Sequence, residues 1–482
     1  MRILVANAYF LSLDHPKMRR SGAVYPPLAT LLMAALLRRE GYRVEVFDAT
    51  LASGPEAFAD VLRCAQADVC LLYEDHFHYL SKMCLERMRR AACLMVGEAS
   101  RRGLPVLISS ADAVDHPQPY LEAGAWAVLR TGNEALVLAC LEAIARGGGR
   151  GDPVSLLEPG AVAEPDLDEL PDPAWDLVDM ERYRRFWIRH HGYVSFNLNT
   201  SRGCPYGCAW CAKPLFGRRY RAQSPERVLE QVRLLARAYG AEHIWFMDDI
   251  FGLQPGWLER WAELVESRGP RLPYRCLQRA DLLRRLKAFD PLARSGCRTL
   301  WMGVESGSVR VLKAMRKGID PEDVRLATNE LRRRGIRVGW FLQFGYPEET
   351  PEDIACTWAL VRELVPDEIG ISTAYPLPGT EFFERARFLL GERTNWAHAD
   401  DVEPIAPAYY RPHFYPALHR ELHARHRIWR LRAGREPIGP RSLLVLGWAL
   451  SRALYWGLVR RLRARPDPRW HRWWQQQPAA TG

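Results

Sequence analysis

Apolar residues in the first 146 positions alternate between short continuous runs and longer stretches with a three- and four-residue return. The runs RILVANA (2–8), RVEVFDA (43–49), VCLLY (69–73), PVLISS (105–110) and AWAVLRT (125–131) read as strands. Between them, PPLATLLMAALLRREG (26–41) and the segments 56–66, 81–102 and 133–146 carry the helical period. Five short apolar strands alternating with helices predict a doubly wound parallel sheet over 1–146.

GGGRGDP (147–153) breaks that rhythm, and a Pro- and Asp-rich segment follows. Residues 147–186 read as a linker. From 187 to 385 a strand-then-helix unit recurs six times. Its strands are YVSFNLN (193–199), HIWFMDD (243–249), YRCLQRA (274–280), RTLWMGVES (298–306), RVGWFLQFG (337–345) and EIGISTAYPLP (368–378). Helical patterns lie at 227–240, 257–269, 321–335 and 351–365, the last two opening on Pro and acidic residues. Six such units predict a partial (β/α) barrel, three quarters of the eight-fold one. Residues 386–482 lose the repeat and form a basic, aromatic-rich region expected to be mainly helical.

The chain has 482 residues, 48% of them hydrophobic, enough for two or three cored domains. Its net charge of +10 is compatible with anionic substrates, nucleic acid or a membrane surface and selects none of them. The opening MRILVANAYF lacks the layout of a signal peptide. No run of about 18 uncharged apolar residues predicts a spanning helix. Of eleven cysteines, Cys64, Cys70, Cys84, Cys93, Cys140, Cys276, Cys297 and Cys356 are scattered and read as buried thiols in a reducing cytoplasm.

Ligands of parallel α/β folds bind at the carboxyl ends of the strands. In the second domain those ends carry Thr200-Ser201-Arg202-Gly203, Asp248-Asp249, Gln278-Arg279, Glu305-Ser306, Gln343 and Tyr375-Pro376. These polar groups on an otherwise apolar barrel make the rim the candidate site. Immediately after the first strand, TSRGCPYGCAWCAKPLFG places Cys204, Cys208 and Cys211 at C-x3-C-x2-C. A structural zinc site or an ordinary cubane cluster takes four ligands, and no second cysteine pair lies nearby. Three thiolates hold three irons of a four-iron cluster and leave the fourth open to a substrate group. A zinc site completed by a distant ligand is the competing reading.

The triad with Trp210 before its last cysteine resembles the radical S-adenosylmethionine (SAM) family. That resemblance implies a [4Fe-4S] cluster whose open iron is chelated by the methionine part of SAM, and reductive cleavage to a 5′-deoxyadenosyl radical. With a five-strand, flavodoxin-like domain in front, residues 1–385 resemble the cobalamin-binding branch. This branch includes methyltransferases acting on unreactive carbon and phosphorus, and the anaerobic magnesium-protoporphyrin cyclase. NTSRGCPYGCAWCAKP, FMDDIF, MGVESGS, GYPEET and YPLPGT stand where that branch has similar stretches. The resemblance implies that Trp210, Asp248, Asp249, Gln278, Glu305, Ser306 and Gln343 contribute to binding SAM. Asp248 and Asp249 would lie near its ammonium, Glu305 near the ribose, Gln343 near the adenine. An N-cap role for the aspartates and a structural ion pair for Glu305 are the bland alternatives.

The doubly wound pattern puts Ala8, Ser109, Ser110, Thr131 and Gly132 at strand ends, where a cobalamin would lie. The cobalt-ligating motif D-x-H-x-x-G is absent, as is G-x-G-x-x-G. The expectation is therefore a cobalamin without a histidine ligand from this chain. The implied activity is methylation of an unactivated carbon on a sizeable, partly apolar substrate. A radical oxidative cyclisation or rearrangement using cobalamin is the alternative, and a non-enzymatic iron–sulfur scaffold or nucleic-acid module the competitor from another class. An external electron donor such as flavodoxin or ferredoxin is implied as partner.

His190-His191 and His76-x-His78 have the composition of metal ligands, but such pairs are more often ordinary polar residues. Near the C-terminus, SLLVLGWALSRALYWGLVRRLRAR (442–465) predicts an amphipathic helix close to the barrel mouth. Leu443, Leu446, Leu450, Leu454 and Leu458 share its apolar face, and arginines crowd its end. Basic and aromatic residues here suit a packed cap, peripheral contact with a membrane or, least of the three, nucleic acid.

Overall fold

Strands β1 (Arg2–Ala6), β2 (Arg43–Phe47), β3 (Val69–Tyr73), β4 (Val106–Ser109) and β5 (Ala127–Leu129) form a parallel sheet in the order β2-β1-β3-β4-β5. This is the doubly wound, flavodoxin-like order expected from the pattern. The computed structural model describes residues 1–21, 23–78, 81, 85–130, 132–147, 166–211, 217–391, 395–435 and 440–475. Central β3 is buried at every position, whereas edge strand β2 alternates. A core of Leu4, Phe10, Phe47, Phe58, Leu72, Met95, Val96 and Ile108 fills one face. The strands end sooner than their apolar runs suggest, because polar residues there leave the ladder. Asn7 bonds instead to Thr50 Oγ1 (3.1 Å) and accepts from the Ala49 amide (2.9 Å).

The helix Leu28–Arg39 follows two prolines and has no side-chain cap of its own. Its first amides are taken by Asp75, whose carboxylate accepts from Leu28 (3.2 Å) and Ala29 (3.1 Å). This cap comes from the loop after β3, so it also fixes that loop against the helix.

The second half of the chain begins with a helix that the linker reading missed, Met180–His191, capped by Asp179 and ended by Gly192. Residues 148–165 of that linker lie outside the described residues. After it come β6 (Ser195–Leu198), β7 (Ser201–Arg202), β8 (Arg221–Ala222), β9 (His243–Phe246), β10 (Tyr274–Gln278), β11 (Cys297–Glu305), β12 (Arg337–Phe344) and β13 (Glu368–Thr373). Six of these form a sheet in the order β13-β12-β11-β10-β9-β6, so each neighbours its predecessor in the repeat. The sheet is open, in keeping with six units rather than eight. The register of β11 on β12 shifts between Gly303 and Glu305.

By contact density the chain divides into two units. The first is Met1–Pro205, Lys213–Tyr274 and Asn395–Asp401; the second is Tyr206–Ala212, Arg275–Thr394 and Val402–Gly482. The C-terminal region is mainly helical, with helices at Phe414–Arg432, Pro440–Arg463 and Pro468–Gln475. The helix expected over 442–465 is present as Pro440–Arg463. Ala449, Ala453 and Leu446 pack on Ala424 and Ile428 of the preceding helix, while Leu450, Leu454 and Leu458 are exposed. Small residues let the two helix axes approach, and the leucines on the opposite arc are left out. The reading of the scattered cysteines as buried holds for Cys70, Cys140, Cys276 and Cys297. It fails for Cys64 and Cys356, which are exposed, Cys93 is only half-buried, and Cys84 lies outside the described residues.

Candidate active site

The cysteine loop leaves the sheet through an antiparallel pairing that sequence patterning missed. Ser201 and Arg202 of β7 pair with Ala222 and Arg221 of β8. Gly203 follows at φ +81°, and a Cβ there would lie 2.1 Å from the Arg219 carbonyl oxygen. Only glycine lets the two arms of the loop come this close. The Cys204 amide then donates to the Gly217 carbonyl (3.2 Å). Arg202 is held by an ion pair of 2.8 Å to Glu134, with side chains 4% and 11% exposed. Glu134 is the first residue of the helix Glu134–Ala145 behind β5.

Further along, the Cys211 amide donates to Cys208 (3.2 Å), closing a turn. Ala209 in that turn is pinned from both sides. Its amide donates to Met315 and its carbonyl accepts from Phe382, each at 2.9 Å. Trp210 packs against the buried cluster of Met315, Tyr346, Phe382 and Ala406. Its indole N–H is buried without an acceptor. The three cysteines are each half-buried. Among the described residues no three His, Cys, Asp or Glu side chains are grouped to hold a single metal ion. Thiolates of a four-iron cluster each bind a different iron, so they need not converge on one point.

In the first unit, Asp248 is fully buried just past β9. Its Oδ1 accepts from the Thr200 amide (3.0 Å), the Thr200 hydroxyl (2.9 Å) and the Ser201 hydroxyl, while Oδ2 has no partner. Burial lifts this carboxyl to about 7, against the downward pull of the Ser201 and Thr200 bonds. Asp249 beside it is half-buried. In the N-terminal sheet, Ser109 at the end of β4 is buried and its hydroxyl lacks a partner, as does the Tyr73 hydroxyl ending β3. Ser110 caps the helix Ala111–Asp115 through the Ala113 amide (2.9 Å). Gly132 sits at φ +73°, and Thr131 lies outside the described residues. Glu74 accepts from the Ala8 amide (2.8 Å), and burial raises its carboxyl to about 8. A cleft at these strand ends is lined by Asn7, Tyr9, Thr50, Asp75 and His78. His76 and His78 are buried among Tyr73, Phe77, Tyr9 and Trp245. His190 and His191 stack on Phe186 and Trp187 of their own helix.

In the second unit, Glu305 ends β11 in a left-handed conformation (φ +63°) where the register shifts. Its Oε1 accepts from Lys317 Nζ at 2.8 Å, and the two side chains are 6% and 9% exposed. The ammonium lies 5.8 Å from the Trp210 ring centre. Arg279 donates to the Lys317 carbonyl (2.8 Å) and lies 3.8 Å over the Tyr206 ring. Thus Tyr206 and Trp210 of the cysteine turn are met by cations from two other segments. Gln278 accepts from the Arg279 amide (2.9 Å), and Ser306 contacts Thr357 Oγ1 (3.1 Å) and the Ser308 amide (3.1 Å). Gln343 is buried with its Oε1 unpartnered. Glu349 of GYPEET accepts from the Gly345 amide (2.7 Å) and is raised by burial to about 8. Lys317 and Glu134 are not singled out by sequence, since MRKG and a Glu at a helix start carry no signal of their own; Glu349 enters only as part of GYPEET.

Residues 198–357 match the family model of the Radical SAM superfamily. The chain carries a radical SAM domain. Two relatives show how far this similarity extends. An uncharacterized methyltransferase of Pyrococcus horikoshii is 30% identical over 243 residues, covering 50% of this chain and 51% of that protein. The hopanoid C-3 methylase of Methylococcus capsulatus is 25% identical over 421 residues, covering 84% of this chain and 77% of the relative. The match to the first therefore spans about half of its length. Among solved structures, the radical SAM methyltransferase TsrM of Kitasatospora setae, with cobalamin and a [4Fe-4S] cluster bound, superposes with a TM-score of 0.65. It is 20% identical, with 82% of this chain and 76% of TsrM covered, which establishes a shared fold. The radical SAM domain thus sits within a larger architecture that includes the N-terminal sheet.

Proposed function

We propose that this protein is a cobalamin-dependent radical SAM enzyme that methylates an unactivated carbon of a sizeable, partly apolar substrate. The observation that carries the reading is the three-cysteine loop, fixed by Gly203 and the pinned Ala209 turn, in a chain whose N-terminal sheet has the flavodoxin-like order. When bound, a three-cysteine cluster supplies an electron and an open iron position for SAM, and cobalamin supplies a transferable methyl group.

The residues fit these groups. Cys204, Cys208 and Cys211 would hold the cluster, and their half-buried loop leaves the thiols reachable. Asp248 Oδ2 and Gln343 Oε1 are buried acceptors without a partner, a state that a polar ligand relieves. Ser109 and Tyr73 offer the same in the N-terminal sheet, within residues 1–146. Glu305 is held by Lys317 and so is ready to accept from a ligand hydroxyl without rearranging. Trp210 packs on the apolar cluster and so backs the turn that carries the cysteines with a fixed surface. Similarity to a hopanoid methylase supports the apolar character of the substrate. Electrons would come from an external donor such as flavodoxin or ferredoxin, and a peripheral membrane contact fits the same substrate class.

Anaerobic reconstitution tests the reading. About four irons per chain are expected, with 5′-deoxyadenosine formed under reduction and hydroxocobalamin bound without a histidine ligand. Cys→Ala at any of the three positions removes SAM cleavage. A chain that cleaves SAM with all three cysteines replaced, or that binds no cobalamin, would overturn the corresponding half of the proposal.

A further inference from the structure

Helix Pro440–Arg463 contacts its neighbour through an unusual choice of residues. At about 100° per residue, Ala449, Ala453, Gly457 and Arg460 fall on one narrow arc. That arc faces the helix Phe414–Arg432, where Ala424 and Ile428 receive Ala449 and Ala453. A Cβ on Gly457 would lie 3.0 Å from Glu421 Oε1. The fully buried Glu421 is bound by Arg425 (2.7 Å) and Arg460 (2.6 Å), which locks the two helices together. The helix is therefore already anchored, and its leucines take no part in the anchoring.

On the opposite arc Trp448, Leu450, Leu454, Tyr455, Leu458 and Leu462 are exposed, Leu454 by 73% and Leu462 by 68%. Large apolar side chains contiguous on one surface mark a surface that meets another phase or partner. Arginines flank the arc on both sides, with Arg461 at one edge and Arg452 and Arg463 at the other. Between Pro440 and Arg465 there is no acidic residue. A second copy docked face to face would set arginine against arginine with no carboxylate to pair them. A bilayer with anionic headgroups matches both parts, since it accepts the apolar arc and neutralises the flanks. Among the described residues no helix is long and apolar enough to cross a membrane.

We infer that the outward arc of this helix is an interfacial docking surface for anionic lipid bilayers, lying in the headgroup plane. The inference names the surface and lipid for the peripheral contact above. It stands apart from the chemistry, because its readout is binding and needs no turnover. Flotation of the full, reconstituted chain would use vesicles of phosphatidylcholine alone and of phosphatidylcholine with about a third phosphatidylglycerol. Binding is expected to the anionic vesicles and to weaken at high salt. L454E/L458E should lower it by about ten-fold or more at unchanged iron content and melting temperature. R452Q/R461Q/R463Q should remove the preference for anionic lipid. Absence of flotation, or flotation indifferent to L454E/L458E, overturns the inference. So does a concentration-dependent dimer that L454E/L458E converts to monomer, which would make a second copy the occupant. Loss of SAM cleavage with intact flotation would bear on the chemistry alone.

Discussion

Replacing Lys317 by Met is the sharpest test of the second unit's polar cluster. The substitution keeps the aliphatic stem and removes the ammonium that donates to Glu305 at 2.8 Å. Both side chains are more than nine-tenths buried, so water cannot take over for the lost partner. Removing one member of a buried ion pair destabilises by about 3–5 kcal/mol, because the remaining charge is stranded. With a urea dependence of roughly 2–3 kcal/mol per molar, the unfolding midpoint should fall by about 1–2.5 M. The double variant Lys317→Met with Glu305→Gln has no stranded charge and should regain most of that loss. The coupling between the two positions should therefore be about 2–3 kcal/mol. Urea unfolding of the full chain, followed by tryptophan fluorescence, reads both quantities. The reasoning is refuted if Lys317→Met shifts the midpoint no more than a surface Lys→Met control. It is equally refuted if the double variant is as unstable as the single one.

Stability should also depend on pH through Asp248, whose folded carboxyl titrates at about 7 against an ordinary value near 3.9. Between those values the folded chain holds the extra proton, so stability is fully present below about pH 4 and declines by about 1.4 kcal/mol per unit towards pH 7. Glu74 and Glu349, raised to about 8, add slopes of the same sign, so Asp248→Asn should reduce the total slope by about 1.4 kcal/mol per unit in urea titrations at pH 5, 6 and 7, and an unchanged slope would exclude a contribution from Asp248. Gly457→Val, whose Cβ would press on Glu421 Oε1, should destabilise the C-terminal helix pair by about 1–3 kcal/mol, read as an earlier loss of helical ellipticity on heating.

Most of the fold was legible because the two large sheets are parallel and most of their strands are continuous apolar runs. Strand ends were overestimated where polar residues such as Asn7 and Asp248 leave the ladder for side-chain bonds. Short helices such as Ala280–Arg285 and Val309–Ala314 carry too few turns for a period to show. Cys204, Cys208 and Cys211 can be proposed from sequence because their spacing is local. Lys317 and Glu134 could not, since each is defined by a partner brought near only by folding. The leucine pattern of the C-terminal helix is legible as amphipathic, but it does not say which face packs. The small-residue stripe Ala449, Ala453, Gly457 competes for the packing face, and close approach of backbones favoured it.

The Arg202–Glu134 pair joins the strand that launches the cysteine loop to the first turn of the helix behind β5. Both partners are almost sealed from solvent, so neither tolerates the departure of the other. The cysteine loop is consequently not a portable module that could be cut free of residues 1–146 and kept in shape. With the loop holding the cluster as proposed, a lesion far away in the N-terminal sheet would surface first as poor iron retention. Conversely, iron content would then be an inexpensive gauge of whether that sheet has folded.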